Sequence, residues 1–161
     1  MLASGRPMPL PGDFADESLY TSEYWHVHDL VEIDAAAGRI VALTDTTRLG
    51  PMVEGQKPWP SQPKHVPGTV MIQITGTLGN LHAVYVLGLR MTDGWVGFGV
   101  GIDEARFRGL GRIGPPLRVM AEAERVRRMK ERVFVRYRFE FQQENAVIYE
   151  SKQTAVWHRG E

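Results

Sequence analysis

The sequence predicts an α+β domain in which one long, central apolar helix is wrapped by an antiparallel sheet of about five to seven strands. Three observations carry that prediction. The segment from Thr69 to about Leu89 is apolar nearly all round, the chain after Trp95 reads as a series of long strands, and a proline-dense region separates both from an earlier hairpin. At 161 residues the chain can build one hydrophobic core, and 43% apolar with 24% charged residues lies near the globular average.

Each element has its own signal. Residues 1–22 carry Pro7, Pro9, Pro11 and Gly12 ahead of the acidic Asp13, Asp16 and Glu17, and read as an extended N-terminal arm that packs late or frays; residues 23–161 form the single domain. Short apolar stretches from Trp25 to Asp34 and from Gly38 to Asp45 flank three alanines and a glycine and read as a hairpin, with Val41 and Leu43 on one face. The region from Gly50 to Pro67 holds too many prolines for a helix or a central strand, so it is a long loop, and loops of that length in a compact domain are usually functional. The helix from Thr69 carries Val70, Met71, Ile72, Ile74, Leu78, Leu81, Val84, Tyr85 and Leu87, and a helix apolar on every face is a buried one; Gly76 and Gly79 allow it to approach a sheet closely. Strands follow at Trp95–Ile102, Ala105–Arg108, Leu117–Arg128, Val133–Phe141 and Ala146–Trp157. The alternation is clearest where Val133, Val135, Tyr137, Phe139 and Phe141 face away from Arg136, Arg138 and Glu140.

Residues 67–73, Pro-Gly-Thr-Val-Met-Ile-Gln, join a proline-glycine turn to the start of the helix. A helix N-terminus presents unpaired N–H groups and partial positive charge, and Gly68 lets a ligand oxygen approach them, so this is either an oxyanion site or a tight turn that opens a core helix. A second segment, Gly-Ile-Asp-Glu-Ala-Arg-Phe-Arg at 101–108, follows at a fitting distance. From about His28 to about Trp157 the chain resembles the 3-hydroxyacyl-ACP dehydratase family of bacterial fatty-acid synthesis. Those proteins have the hot-dog fold, a Gly-His-Phe-Pro-x-x-Pro-x-x-Pro-Gly loop, a helix with Glu or Asp five residues after the last glycine, and a strand carrying Gly-Ile-Asp-x-Ala-(Arg/Lys)-Phe.

The resemblance implies an acyl-thioester protein, acting on acyl-ACP or acyl-CoA, of fatty-acid or polyketide-type metabolism. Its reaction would be that of a lyase, a divergent dehydratase, hydratase or isomerase. It also implies alterations at the chemistry. With Trp59-Pro60 set on the family's Phe-Pro, the catalytic histidine position falls on Pro58 and the carboxylate position on Gln73, and neither side chain transfers a proton. Gly68 keeps the role of thioester-oxygen donor. His65, the histidine of this loop, is read as a displaced proton-transfer group or as an exposed or backbone-bonded loop residue. Gln73 either orients a substrate hydroxyl or a water, or is hydrogen-bonded structurally. Trp59, Pro67, Phe98 and Gly99 are read as substrate-binding; Trp59, Phe98 and Trp95 either line an acyl tunnel or pack in the core. A non-catalytic acyl-binding or scaffold protein and a thioesterase stand as alternative functions. The family's assembly implies a homodimer or a dimer of dimers joined at sheet edges.

Composition narrows the field further. Nineteen basic and nineteen acidic residues cancel, so no global field favours nucleic acid or an anionic membrane. The basic run Arg125, Arg127, Arg128, Lys130, Arg132, Arg136 and Arg138 is interleaved with Glu122, Glu124, Glu131 and Glu140, as in a solvated strand pair with cross-strand ion pairs, with an acidic carrier protein as the lesser reading. The chain has no cysteine, which excludes disulfides, thiol catalysis and thiolate metal sites. His26 and His28 share strand spacing but lack a nearby carboxylate pattern, so no metal and no other cofactor is expected. Without a secretory apolar run or a stretch of membrane-spanning length, a cytoplasmic location is the expectation.

Overall fold

The computed structural model describes residues 2–160. One sheet of seven antiparallel strands dominates it, in the spatial order β1 (Leu2–Pro9), β2 (Asp29–Asp34), β3 (Arg39–Thr44), β7 (Leu117–Arg128), β8 (Arg132–Gln143), β9 (Ala146–Arg159) and β5 (Trp95–Phe107). A second, two-stranded sheet pairs β4 (His65–Val66) with β6 (Gly111–Arg112). The long helix α2 (Gly68–Tyr85) packs on the large sheet, and a four-residue helix α1 (Pro51–Glu54) lies in the proline-dense loop before it.

The alternation in β8 sets the core. Val133, Val135, Tyr137, Phe139 and Phe141 are all buried, and they meet Ile74, Leu78 and Leu81 of α2 together with Leu117, Val119 and Ala121 of β7. On the opposite face Arg136 pairs with Glu124 and Asp103, and Arg138 with Glu122 and Glu140, so these two arginines of the basic run are met by the interleaved acids.

The elements differ from expectation in several places besides α1, which forms in a region whose prolines argue against a helix. Residues 2–9 are extended, as an arm would be, but they pair with β2 as an edge strand, where Pro7 and Pro9 are tolerated. Residues 12–17 then form a 3-10 turn that sets Phe14 fully into the core. The helix ends at Tyr85 rather than near Leu89, because Gly88 at φ +71 turns the chain and the Leu89 N–H reaches back to the Ala83 carbonyl. The helix is also not buried all round, since Ile72, Gln73 and Gly76 are exposed. Finally, the two strands expected at 95–102 and 105–108 are one, β5, which stays paired with β9 by shifting register between Gly99 and Gly101 and again between Ile102 and Glu104.

Candidate functional site

A cavity of about 690 Å³ opens between the exposed stripe of α2 and the β5 end of the sheet. That volume falls within the range of small-ligand sites. Gln73, Thr75, Gly76 and Asn80 line it from the helix, Trp95, Gly97, Phe98 and Gly99 from β5, Tyr137 and Phe139 from β8, and Gln153 and Trp157 from β9; residues of the segment 17–24 border it as well. Gly97 is required here, because a Cβ at that position would stand 2.2 Å from the Trp157 indole nitrogen.

The bordering segment is fastened at both ends. Glu17 is buried, and its carboxylate accepts hydrogen bonds from the Met91 N–H (2.5 Å), the Thr92 hydroxyl (2.7 Å) and Arg90 (3.1 Å). Burial works to raise its pKa, but the bonds from Thr92, Arg90 and Met91 outweigh it and hold the group below the usual carboxylate range. Glu17 is therefore an anchor with its lone pairs in use. The Asn80 amide also donates to the Glu17 carbonyl, and just beyond the other end the Trp25 indole N–H reaches back to the Ser18 hydroxyl and the Tyr20 carbonyl.

Two glutamine carboxamides supply polar groups to the cavity. Gln73 donates one N–H to the Tyr24 carbonyl at 3.0 Å. Gln153 donates from Nε2 to the Thr75 and Ser151 hydroxyls, each at 3.0 Å, and Thr75 in turn donates to the Ile72 carbonyl at 2.6 Å. The donors of Gln153 are thus occupied while its carbonyl oxygen, 3.2 Å from the Thr75 hydroxyl, keeps a lone pair that can accept, whereas Gln73 keeps one N–H. Behind the cavity wall, His82 donates from Nε2 to the Gly38 carbonyl (2.8 Å), so its Nδ1 accepts from the Tyr137 hydroxyl (3.0 Å). Burial pushes the His82 pKa down to about 4 and raises that of Tyr137 well above the ordinary value, which leaves both neutral.

The structure gathers part of the residue set read from the sequence. Gln73, Phe98, Gly99 and Trp95 line the cavity. His65 lies on β4 opposite Arg112; its backbone N–H donates to the Gln56 side chain (3.1 Å) and its carbonyl accepts from the same amide (2.7 Å). Gly68 starts α2 after Pro67, and the Phe107 ring sits over it, 2.9 Å from where a Cβ would be. Trp59 is 72% exposed in a tight turn that it closes with Gln62. None of His65, Pro67, Gly68 and Trp59 lines the cavity.

His26 and His28 do not share a strand face, since His26 takes a left-handed backbone at φ 55 before β2 begins. His28 accepts the Asp45 N–H at Nδ1 (2.9 Å). Among the described residues no three ligating side chains come together. Sequence reasoning missed Thr75, Gln153 and Glu17 because their partners lie tens of residues away, beyond any local pattern.

No protein-family model and no curated protein sequence matches the chain. Solved structures do. The chain is similar to the E. coli PaaI protein from the phenylacetic acid degradation operon, with a TM-score of 0.55 at 14% identity over 81% of each chain. It is similar to AziG of S. sahachiroi, with a TM-score of 0.57 at 16% identity over 86% of this chain and 95% of that one. A thioesterase superfamily member from Thermus thermophilus gives 0.55 at 20% identity over 75% and 81%. These neighbours and the one main helix packed on a long antiparallel sheet show the hot-dog fold. They do not single out the 3-hydroxyacyl-ACP dehydratase family within it. No helix among the described residues is long and apolar enough to cross a membrane.

Proposed function

We propose that the protein binds an acyl thioester, carried on coenzyme A or on a carrier protein, in the cavity beside α2 and hydrolyses it to a free acid and a thiol. The observation that supports this most is the cavity wall: apolar and aromatic surface from Trp95, Phe98, Phe139 and Trp157 suits an acyl chain, and the two carboxamides offer complementary hydrogen bonds to its reacting end. The free N–H of Gln73 would stabilise the carbonyl oxygen as negative charge develops on it, and the carbonyl oxygen of Gln153 would orient the attacking water. The water oxygen bonds to the thioester carbon, the carbon–sulfur bond breaks, and the departing sulfur takes the proton. A thiolate is a far more stable leaving group than hydroxide, so this reaction asks less of a strong acid or base than dehydration does.

That difference favours hydrolysis over the dehydratase chemistry of the resembling family. Dehydration needs a proton acceptor for the alpha position and a donor to the departing hydroxyl, and among the described residues the one carboxylate at this cavity, Glu17, is committed to its bonds with residues 90–92. The name of the Thermus thioesterase superfamily member lends support to the same reading. The working unit is a homodimer joined at β5. This strand of 13 residues pairs on one side only and carries exposed Phe98, Val100, Ile102 and Phe107, an arrangement that a second copy would cover. Incubation with a panel of acyl, 3-hydroxyacyl and enoyl thioesters tests the reaction by mass spectrometry. Free acid supports hydrolysis, gain or loss of water supports a hydratase or dehydratase, and saturable binding without product supports an acyl-binding protein.

A further inference from the structure

We infer that the turn joining β7 to β8 is a docking surface for the acidic face of an acyl carrier protein, which brings the thioester to the cavity. This rests on the proposed use of the cavity as an acyl-thioester site. Residues 125–132, Arg-Val-Arg-Arg-Met-Lys-Glu-Arg, hold five basic residues against one acid in a chain of zero net charge, and all eight are exposed.

The sheet treats its cations in two ways. Toward the middle of β8, Arg136 and Arg138 are met by Asp103, Glu122, Glu124 and Glu140. At the turn, Arg125, Arg127, Lys130 and Arg132 have no ion pair among the described residues, and the Arg128 guanidinium donates to the Leu87 carbonyl at 2.9 Å. Arg125 also stands directly opposite Arg136, a pairing of like charges that disfavours the strand ladder. A cluster that repels itself in the free protein attracts an anionic surface.

The spread of the charges selects the occupant. Arg125 and Arg127 stand opposite Arg136 and Phe134 on the outer face of the sheet, whereas Arg128 stands opposite the buried Val133 on the helix side. No single phosphate meets cations on both faces, so the complementary anions belong to an extended surface. Val126 and Met129, both exposed, lie between the cations, and their apolar surface suits a protein partner better than a phosphodiester strand. The position fits delivery to the cavity. The Arg159 N–H donates to the Glu131 carbonyl at 3.0 Å, and Arg159 pairs with Trp95, which lines the cavity. Arg132 lies opposite His158, whose ring meets that of Phe98 on the same wall. The turn is thus two strand spacings, about 10 Å, from the cavity rim, a span that an acyl group on a carrier's flexible arm can cross.

Titration calorimetry tests the inference with a bacterial acyl carrier protein in two forms, unloaded and bearing an acyl chain in a non-hydrolysable amide linkage, and with the amide analogue of the same acyl-coenzyme A. Arg127→Glu with Lys130→Glu reverses two unpaired cations of the turn. Arg118→Glu with Lys57→Glu makes the same change of charge at the other end of β7 and in the proline-dense loop. Both carrier complexes are expected to weaken about tenfold in the turn pair and less than about threefold in the control pair, while the coenzyme A analogue stays within about twofold. Arg127→Gln with Lys130→Gln, which only removes charge, is expected to weaken the carrier complexes about threefold and to melt no lower than the wild type, since repulsion is relieved. Undiminished carrier binding, an equal loss in the control pair, a parallel loss for the coenzyme A analogue, or a single-stranded DNA oligonucleotide bound more tightly than the carrier would overturn the inference. If the wild-type protein releases no acid from any thioester, the proposed function fails, while binding of the unloaded carrier still decides the role of the turn.

Discussion

Acidification tests the packing that supports the cavity wall, through His82. The ring is fully buried, held between the Gly38 carbonyl and the Tyr137 hydroxyl, and burial lowers its pKa from 6.5 to about 4 although the Gly38 bond favours the charged form. In the unfolded chain the same imidazole titrates near 6.5, so between pH 6.5 and pH 4 the unfolded state binds more protons than the native one. Stability therefore falls as pH falls through that window and levels off, for this group, below about 4. At about 1.4 kcal/mol per pKa unit the His82 share comes to about 3 kcal/mol between pH 7 and pH 4. That is a large part of a typical domain's stability. His26 and His28, also lowered by burial, act in the same direction, so His82 must be isolated by comparison. Urea unfolding at pH 7 and pH 4 on wild type and His82→Gln provides it: the wild type is expected to lose about 3 kcal/mol more than the variant over that interval. Equal losses, or an NMR titration placing His82 near 6.5, would refute the reasoning.

Further outcomes follow from the same geometry. Gly97→Ala drives a methyl group into the Trp157 indole, so it is expected to cost about 1–3 kcal/mol in urea unfolding and to weaken ligand binding; an unchanged midpoint would mean that Trp157 moves freely. Light scattering at micromolar concentration is expected to show a dimer, and Val100→Lys with Ile102→Lys on β5 a monomer; a monomeric wild type would remove the edge-to-edge assembly. Gln73→Ala is expected to lower turnover about a hundredfold, the usual worth of one oxyanion donor, while His65→Ala stays within a few-fold; the reverse order would move the chemistry to the proline-rich loop.

Much of the architecture was legible because the sheet interior obeys a period of two. Val133 to Phe141 and the uniform apolarity of residues 69–85 leave few other arrangements. Legibility failed where backbone geometry decided the outcome. Gly97, Gly99 and Gly101 blur the alternation of β5, and its register shifts join what reads as two strands. Gly88 ends α2 before its apolar run ends. The site divided in the same way. Of the residues that line the cavity, Gln73, Phe98 and Gly99 are marked in the sequence by type and position, whereas Gln153 is held by a partner 78 positions away, which leaves no local pattern.

Thiol release from acyl thioesters tests the central claim most directly, and the absence of cysteine leaves no protein thiol to react with the reporting reagent. With acyl-coenzyme A and acyl-carrier-protein substrates in turn, the account predicts release of thiol matched one for one by free acid, lost about a hundredfold in Gln73→Ala. Conversion of a 3-hydroxyacyl thioester to the enoyl thioester with no thiol released would contradict it.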